Sequence, residues 1–140
     1  MVIVDSNVLV DVLEDDPDWA EWSSSRMREL SKIHDLAINP VIYAELSVTF
    51  DAVETLDAVI SDLKLRFMDI PRPALFLAGK AFIRYRKQGG VKTNVLSDFF
   101  IGAQAAVMDC AVLTRDTGRY RSYFPTVALV TPPITKKSKP

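Results

Sequence analysis

The chain has 140 residues, 49% apolar and 25% charged, with a formal net charge of −1. That length suits one domain with a single core, and the apolar content excludes a disordered chain. No apolar run approaches the ~20 residues of a membrane span, and a lone Cys110 and a lone His34 exclude an internal disulfide and a zinc site built from several Cys and His ligands. The first residues lack a basic stretch before their apolar run, so no secretory leader is expected and the location is read as cytoplasmic. The near-zero charge hides an asymmetry: residues 1–62 hold 14 acids and 3 bases, residues 63–140 hold 4 acids and 14 bases. Such a split fits either a polyanion-facing side made from the second half or two solvated faces that offset each other.

In chain order, Val2–Val4 reads as the first strand and runs into Asp5, Ser6 and Asn7. Asp15, Asp16 and Pro17 look like a helix start, with the helix running to about Ile33. Leu36–Ile38 is a short strand. Asn39-Pro40 opens a second helix through Glu45 to about Phe50, and Ala52–Leu63 is helical by its apolar spacing. Arg66–Ile70 reads as strand three. Pro73 to about Lys87 is a helix closed by Gly89-Gly90, and Val95–Met108 is another, rich in small residues that allow close packing. Ala111–Thr114 and Val127–Val130 complete five strands. Strands alternating with helices point to an α/β sandwich around a mostly parallel sheet, with the active crevice beyond the carboxyl ends of the strands.

Four acids sit awkwardly in this pattern. Asp5 ends the first strand and Asp116 follows the fourth, so the two converge if those strands are neighbours. Glu45 interrupts the apolar "VIYAELSV", and Asp98 lies at the start of "SDFFIGAQAA". A carboxylate buried as an ion on an apolar face is costly unless paired or bound to a cation, and these segments contain no basic partner. Each acid also has a plain structural use: a turn after a strand for Asp5 and Asp116, a helix N-terminus for Asp98, a distant arginine for Glu45. Taken together they suit a hard divalent cation with oxygen ligands.

With "DSNVLVD", Glu45, "LSDFFIGAQA" and "LTRD" in order, the chain resembles the PIN-domain family and, within it, VapC-type toxins of toxin–antitoxin pairs. The resemblance runs from Val2 to about Val130. It implies a three-layer α/β/α fold with a five-stranded parallel sheet over residues 1–131, leaving 132–140 as a basic tail. It implies a Mg²⁺- or Mn²⁺-dependent endoribonuclease whose metal-holding and catalytic acids are Asp5, Glu45, Asp98 and Asp116, supported by Ser6, Asn7 and Thr114. Attack by water would leave 5′-phosphate and 3′-hydroxyl ends. A VapB-like antitoxin and a homodimer are the implied partners, with RNA as substrate. Two positions depart from the family pattern. Ser97 stands where many relatives have proline and is expected to cap the helix instead. Arg119 stands where some relatives carry a further acid, so a second metal would be held weakly or through RNA phosphate.

The basic half then has a use: Arg84, Arg86, Lys87, Lys92, Arg115, Arg119 and Arg121 are candidates for following RNA phosphates. Tyr85, Tyr120 and Tyr123 suit either base stacking or structural packing. Trp19, Trp22 and Met27 suit a dimer interface or packing on the sheet. Lys136, Lys137 and Lys139 read as a solvated tail, His34 as a surface-turn residue and Cys110 as a small apolar side chain. Rival readings are an aspartyl phosphotransferase, which would need an acid where Asn7 stands, and a phospho-receiver, which would need an acidic pair and a lysine after strand five. An RNA-processing PIN nuclease and a non-catalytic PIN-like binding module also remain open.

Overall fold

The computed structural model describes residues 1–92 and 95–133. Its elements are β1 (Val2–Val4), α1 (Ser6–Leu13), α2 (Ala20–Ser31), β2 (Leu36–Ile38), α3 (Pro40–Ser47), α4 (Val53–Asp62), β3 (Arg66–Phe67), α5 (Arg72–Lys87), α6 (Leu96–Met108), β4 (Ala111–Leu113), α7 (Gly118–Tyr123) and β5 (Leu129–Val130). The five strands form one parallel sheet in the order β3-β2-β1-β4-β5, flanked by helices in three layers. β1 and β2 are buried along their whole lengths, which explains their unbroken apolar sequences. The chain winds outward from β1 through β2 to β3, then returns to place β4 on the other side of β1, with Val4 opposite Leu113. That reversal opens a crevice at the carboxyl ends of β1 and β4.

Several boundaries differ from the sequence expectations for physical reasons. α1 was legible only as an apolar stretch, because its Val and Leu residues favour a strand as readily as a helix; burial of Val8, Leu9 and Asp11 on one face selects the helix. Asp16 does cap a turn, accepting from the backbone N–H of Asp18 and Trp19, but α2 itself begins at Ala20. Asn39 caps α3 as expected, accepting from Ile42 N–H at 2.8 Å with Pro40 in the first turn. Ser97 does not cap α6: Val95 is the N-cap residue, no side chain caps the end, and Ser97 lies inside the first turn. α7 is too short for apolar periodicity to reveal it. Strands three and five shrink to two residues each at the sheet edges.

Beside the main core lies a second apolar cluster, where Ala74, Ala78 and Ala81 of α5 meet Val95, Phe99 and Ala103 of the α6 segment and Phe124. The alanines recur about once per turn, so α5 lies close against α6. This hairpin sets the end of α5 beside the start of α6, where Asp98 sits. The expected basic tail lies mostly outside the described residues: Lys136, Lys137 and Lys139 fall beyond them.

Candidate active site

The end of β1 is tied to β4 by a bond from Asp5 N–H to the Leu113 carbonyl at 2.9 Å. The Asp5 side chain then enters the crevice between them, where the residue is only 4% exposed. Its Oδ2 accepts from the Tyr120 hydroxyl at 2.8 Å and the Thr114 hydroxyl at 2.9 Å, with the Asn7 amide at 3.5 Å. Ser6 links two of the acids: its hydroxyl donates to Glu45 Oε1 at 2.8 Å and lies 3.5 Å from Asp5 Oδ1. Thr114 Oγ1 accepts from Asp116 N–H at 3.0 Å, which folds the turn after β4 back towards Asp5. Asn7 Oδ1 accepts from Arg115 N–H at 3.3 Å, tying α1 to the same turn. Ser6, Asn7 and Thr114 therefore lie where support for the acids would be needed.

Asp98 completes the group from the first turn of α6. The segment around Asp98 holds no basic partner, but α7 supplies one: Arg119 Nε donates to Asp98 Oδ2 at 3.1 Å. The acids feel one another's charge. Burial pushes the Asp5 carboxyl above the ordinary aspartate value; the Tyr120 and Thr114 hydroxyls pull it back, and the Glu45 charge pushes it up. Burial also raises Asp98, to about 6, with the Asp5 charge adding to the rise and Arg119 opposing it. Tyr120 is pushed up by burial and then by the charges of Asp5, Asp98 and Asp116.

Tyr120 was proposed above only as a base-stacking or packing residue. At 1% exposure it cannot stack on RNA, and its hydroxyl instead holds Asp5. The signal was absent from sequence because α7 was not recognised. Tyr85 and Tyr123 join Phe82, Phe99 and Phe124 in an aromatic cluster next to Asp98. Of the basic candidates, Arg84 lies over the Tyr123 ring and Arg86 over Phe82, and both are exposed with Lys87 on the last turn of α5. Lys92 and Arg121 are exposed as well. Arg115 does not join them. It makes a bidentate pair with Asp11 at 2.6 and 3.0 Å and lies over Trp19, while Ser23 donates to the same carboxylate. That network staples α1, α2 and the β4 turn.

Oxygen donors, all hard, surround the crevice, and among the described residues every hydrogen-bond partner of the Asp5 carboxylate is neutral. A buried carboxylate with no positive partner, raised further by a neighbouring acid, suits a divalent cation. Among the described residues, no three His, Cys, Asp or Glu side chains stand close enough to hold an ion as placed. Asp98 meets Arg119 through Oδ2, so an ion drawn to that carboxylate would have the guanidinium as a neighbour.

A family model described as PIN domain matches residues 2–124. No curated protein matches. Solved structures of similar fold include VapBC2 from Rickettsia felis bound to a DNA fragment from its promoter, at 18% identity and a TM-score of 0.70, covering 94% of this chain and 98% of that one. DNA-bound VapBC from Salmonella typhimurium matches at 18% identity and a TM-score of 0.67, covering 93% and 96%. A toxin–antitoxin complex from Klebsiella pneumoniae matches at 19% identity and 0.63, covering 95% and 98%.

Proposed function

This chain belongs to the PIN domain family, and from that premise we propose that it is a divalent-metal-dependent endoribonuclease serving as the toxin of a toxin–antitoxin pair. The observation that carries the proposal is the Asp5 carboxylate at the carboxyl end of β1, joined to Glu45 through Ser6 and to the Asp116 backbone through Thr114, with Asp98 raised by the charges of Asp5 and Asp116. Members of the family are generally nucleases that use divalent metals. The similarity to VapBC and other toxin–antitoxin complexes favours a toxin with an antitoxin partner over an RNA-processing role.

A bound Mg²⁺ or Mn²⁺ would lower the pKa of its water and offset charge building on the phosphate. Asp5, Glu45, Asp98 and Asp116 would hold it. Tyr120 and Thr114 favour the charged form of Asp5 against burial by donating to the carboxylate, and Ser6 holds Glu45 next to it. Asn7 fixes the β4 turn that carries Asp116. Arg84, Arg86, Lys87, Lys92 and Arg121 lead the RNA backbone to the site.

The deciding experiment is cleavage of bulk RNA, then of transfer and ribosomal RNA, by protein freed of any antitoxin. Cleavage should need Mg²⁺ or Mn²⁺, stop with EDTA and fail in Asp5→Asn. The products should carry 5′-phosphates; a 2′,3′-cyclic phosphate would rule out water as the attacking group. Cleavage that survives both EDTA and Asp5→Asn would overturn the carboxylate reading. Among the described residues no helix is long and apolar enough to cross a membrane.

A further inference from the structure

Arg119 and Tyr120 are consecutive residues of α7, and both reach the acids, but in different ways. Tyr120 is buried and neutral, and its bond to Asp5 leaves the carboxylate charge in place. Arg119 brings a full positive charge onto Asp98, on a long side chain that is 27% exposed. Among the described residues it is the only cationic side chain hydrogen-bonded to any of the four acids. A metal ion drawn to the same carboxylate would stand beside that guanidinium, two like charges close together where burial limits screening. The occupants therefore compete. A planar guanidinium is also well shaped to take phosphate oxygens.

We propose that Arg119 is the site's built-in counter-cation: it neutralises Asp98 until a divalent ion takes that carboxylate, and the released guanidinium then binds a phosphate of the RNA. This rests on the reading of the four carboxylates as a metal site. Two consequences follow from the competition. Metal affinity is lower than the carboxylates alone would give. RNA and metal also favour each other's binding, because a phosphate that holds Arg119 removes the metal's competitor.

Calorimetric titration with MnCl₂ tests this on the wild type, Arg119→Gln, Arg119→Lys and Asp98→Asn. Arg119→Gln should bind Mn²⁺ about tenfold more tightly than wild type, Arg119→Lys should stay near wild type, and Asp98→Asn should bind most weakly. In EDTA, Arg119→Gln should melt below wild type, and saturating Mn²⁺ should close that gap. A merely structural ion pair would leave the gap unchanged. Equal Mn²⁺ affinity in wild type and Arg119→Gln, with Asp98→Asn still weakened, overturns the counter-cation and leaves the metal site standing. Mn²⁺ binding indifferent to Asp98→Asn removes both. Wild-type protein gives an independent readout that needs no variant to fold: the NMR resonance of Arg119 Nε–H should shift as Mg²⁺ is added. An unmoved resonance at saturating Mg²⁺ also counts against release.

Discussion

At the scale of single residues, buried Asp5 and half-buried Asp98 must carry charge where water is scarce, while Glu45 and Asp116 are exposed. At Asp5 the Tyr120 and Thr114 hydroxyls oppose the rise that burial imposes. Because the Tyr120 bond lowers the Asp5 pKa, Tyr120→Phe should raise it, shift the rising limb of the pH–rate profile to higher pH, and reduce kcat/KM about tenfold. If the profile stays put and only stability changes, Tyr120 is a packing residue. Asp98 is raised as well, to a pKa of about 6 against 3.8 for an ordinary aspartate. A raised acid binds its proton more tightly when folded. Its contribution to stability is therefore complete below about pH 4 and lost as pH rises through about 6. Metal-free Asp98→Asn should escape that loss. Urea melts in EDTA should show its stability relative to wild type increasing between pH 4.5 and 7.5, by on the order of 1–2 kcal/mol after screening of the partly exposed carboxylate. An unchanged difference across that range would mean the folded chain leaves Asp98 near its ordinary pKa.

At the scale of elements, α6 decides how deep the site is set. Gly102 faces the Phe124 ring so closely that an added Cβ would lie 2.3 Å from Cδ2, and that ring is itself buried. Gly102→Ala should cost about 1–3 kcal/mol through overpacking. Gly79, on the exposed face of α5, has nothing within 4 Å of its would-be Cβ. Gly79→Ala should therefore stabilise by about 0.5–1 kcal/mol through backbone entropy and helix propensity. Chemical denaturation of both variants tests the opposite signs together, and a shared sign would refute this account of α6 packing. The small residues of α6 were legible in sequence because they recur along one helix. The polar strap that orients the helix was not. Asn39 donates to Gln104 Oε1 at 2.9 Å, and Gln104 Nε2 donates to the Asp69 carbonyl at 3.1 Å, joining α3, α6 and the segment after β3. Such partners are 65 and 35 residues apart, so no local pattern could announce them. Asp5, Glu45, Asp98 and Asp116 stand out in the sequence because each breaks an apolar pattern or follows a strand. The contacts of Arg119 and Tyr120 with the acids do not, because they depend on α7, a six-residue helix that only tertiary packing holds.

At the scale of the whole molecule, basic residues of the second half divide into those engaged by the fold and those left exposed. Arg115 serves the fold: its partner Asp11 is 2% exposed and would be left as an unpaired buried charge without it. Arg86 and Lys87 are exposed on the last turn of α5, next to the α6 turn that carries Asp98. Only the second kind can exchange solvent counterions for RNA phosphates. Each phosphate contact made to single-stranded RNA should contribute about 0.7 to the slope of log affinity against log salt. The combined Arg86→Gln and Lys87→Gln substitutions should thus flatten the slope by about 1.4 if both residues touch phosphate. Arg115→Gln should leave the slope alone and cost about 3 kcal/mol of stability instead. Binding is best measured in an Asp5→Asn background with EDTA present, so that the RNA stays intact and no metal contributes to the slope. If Arg115→Gln flattens the slope while the α5 pair does not, the RNA runs along the β4 turn rather than past the end of α5, and the division of labour between the two arginines is reversed.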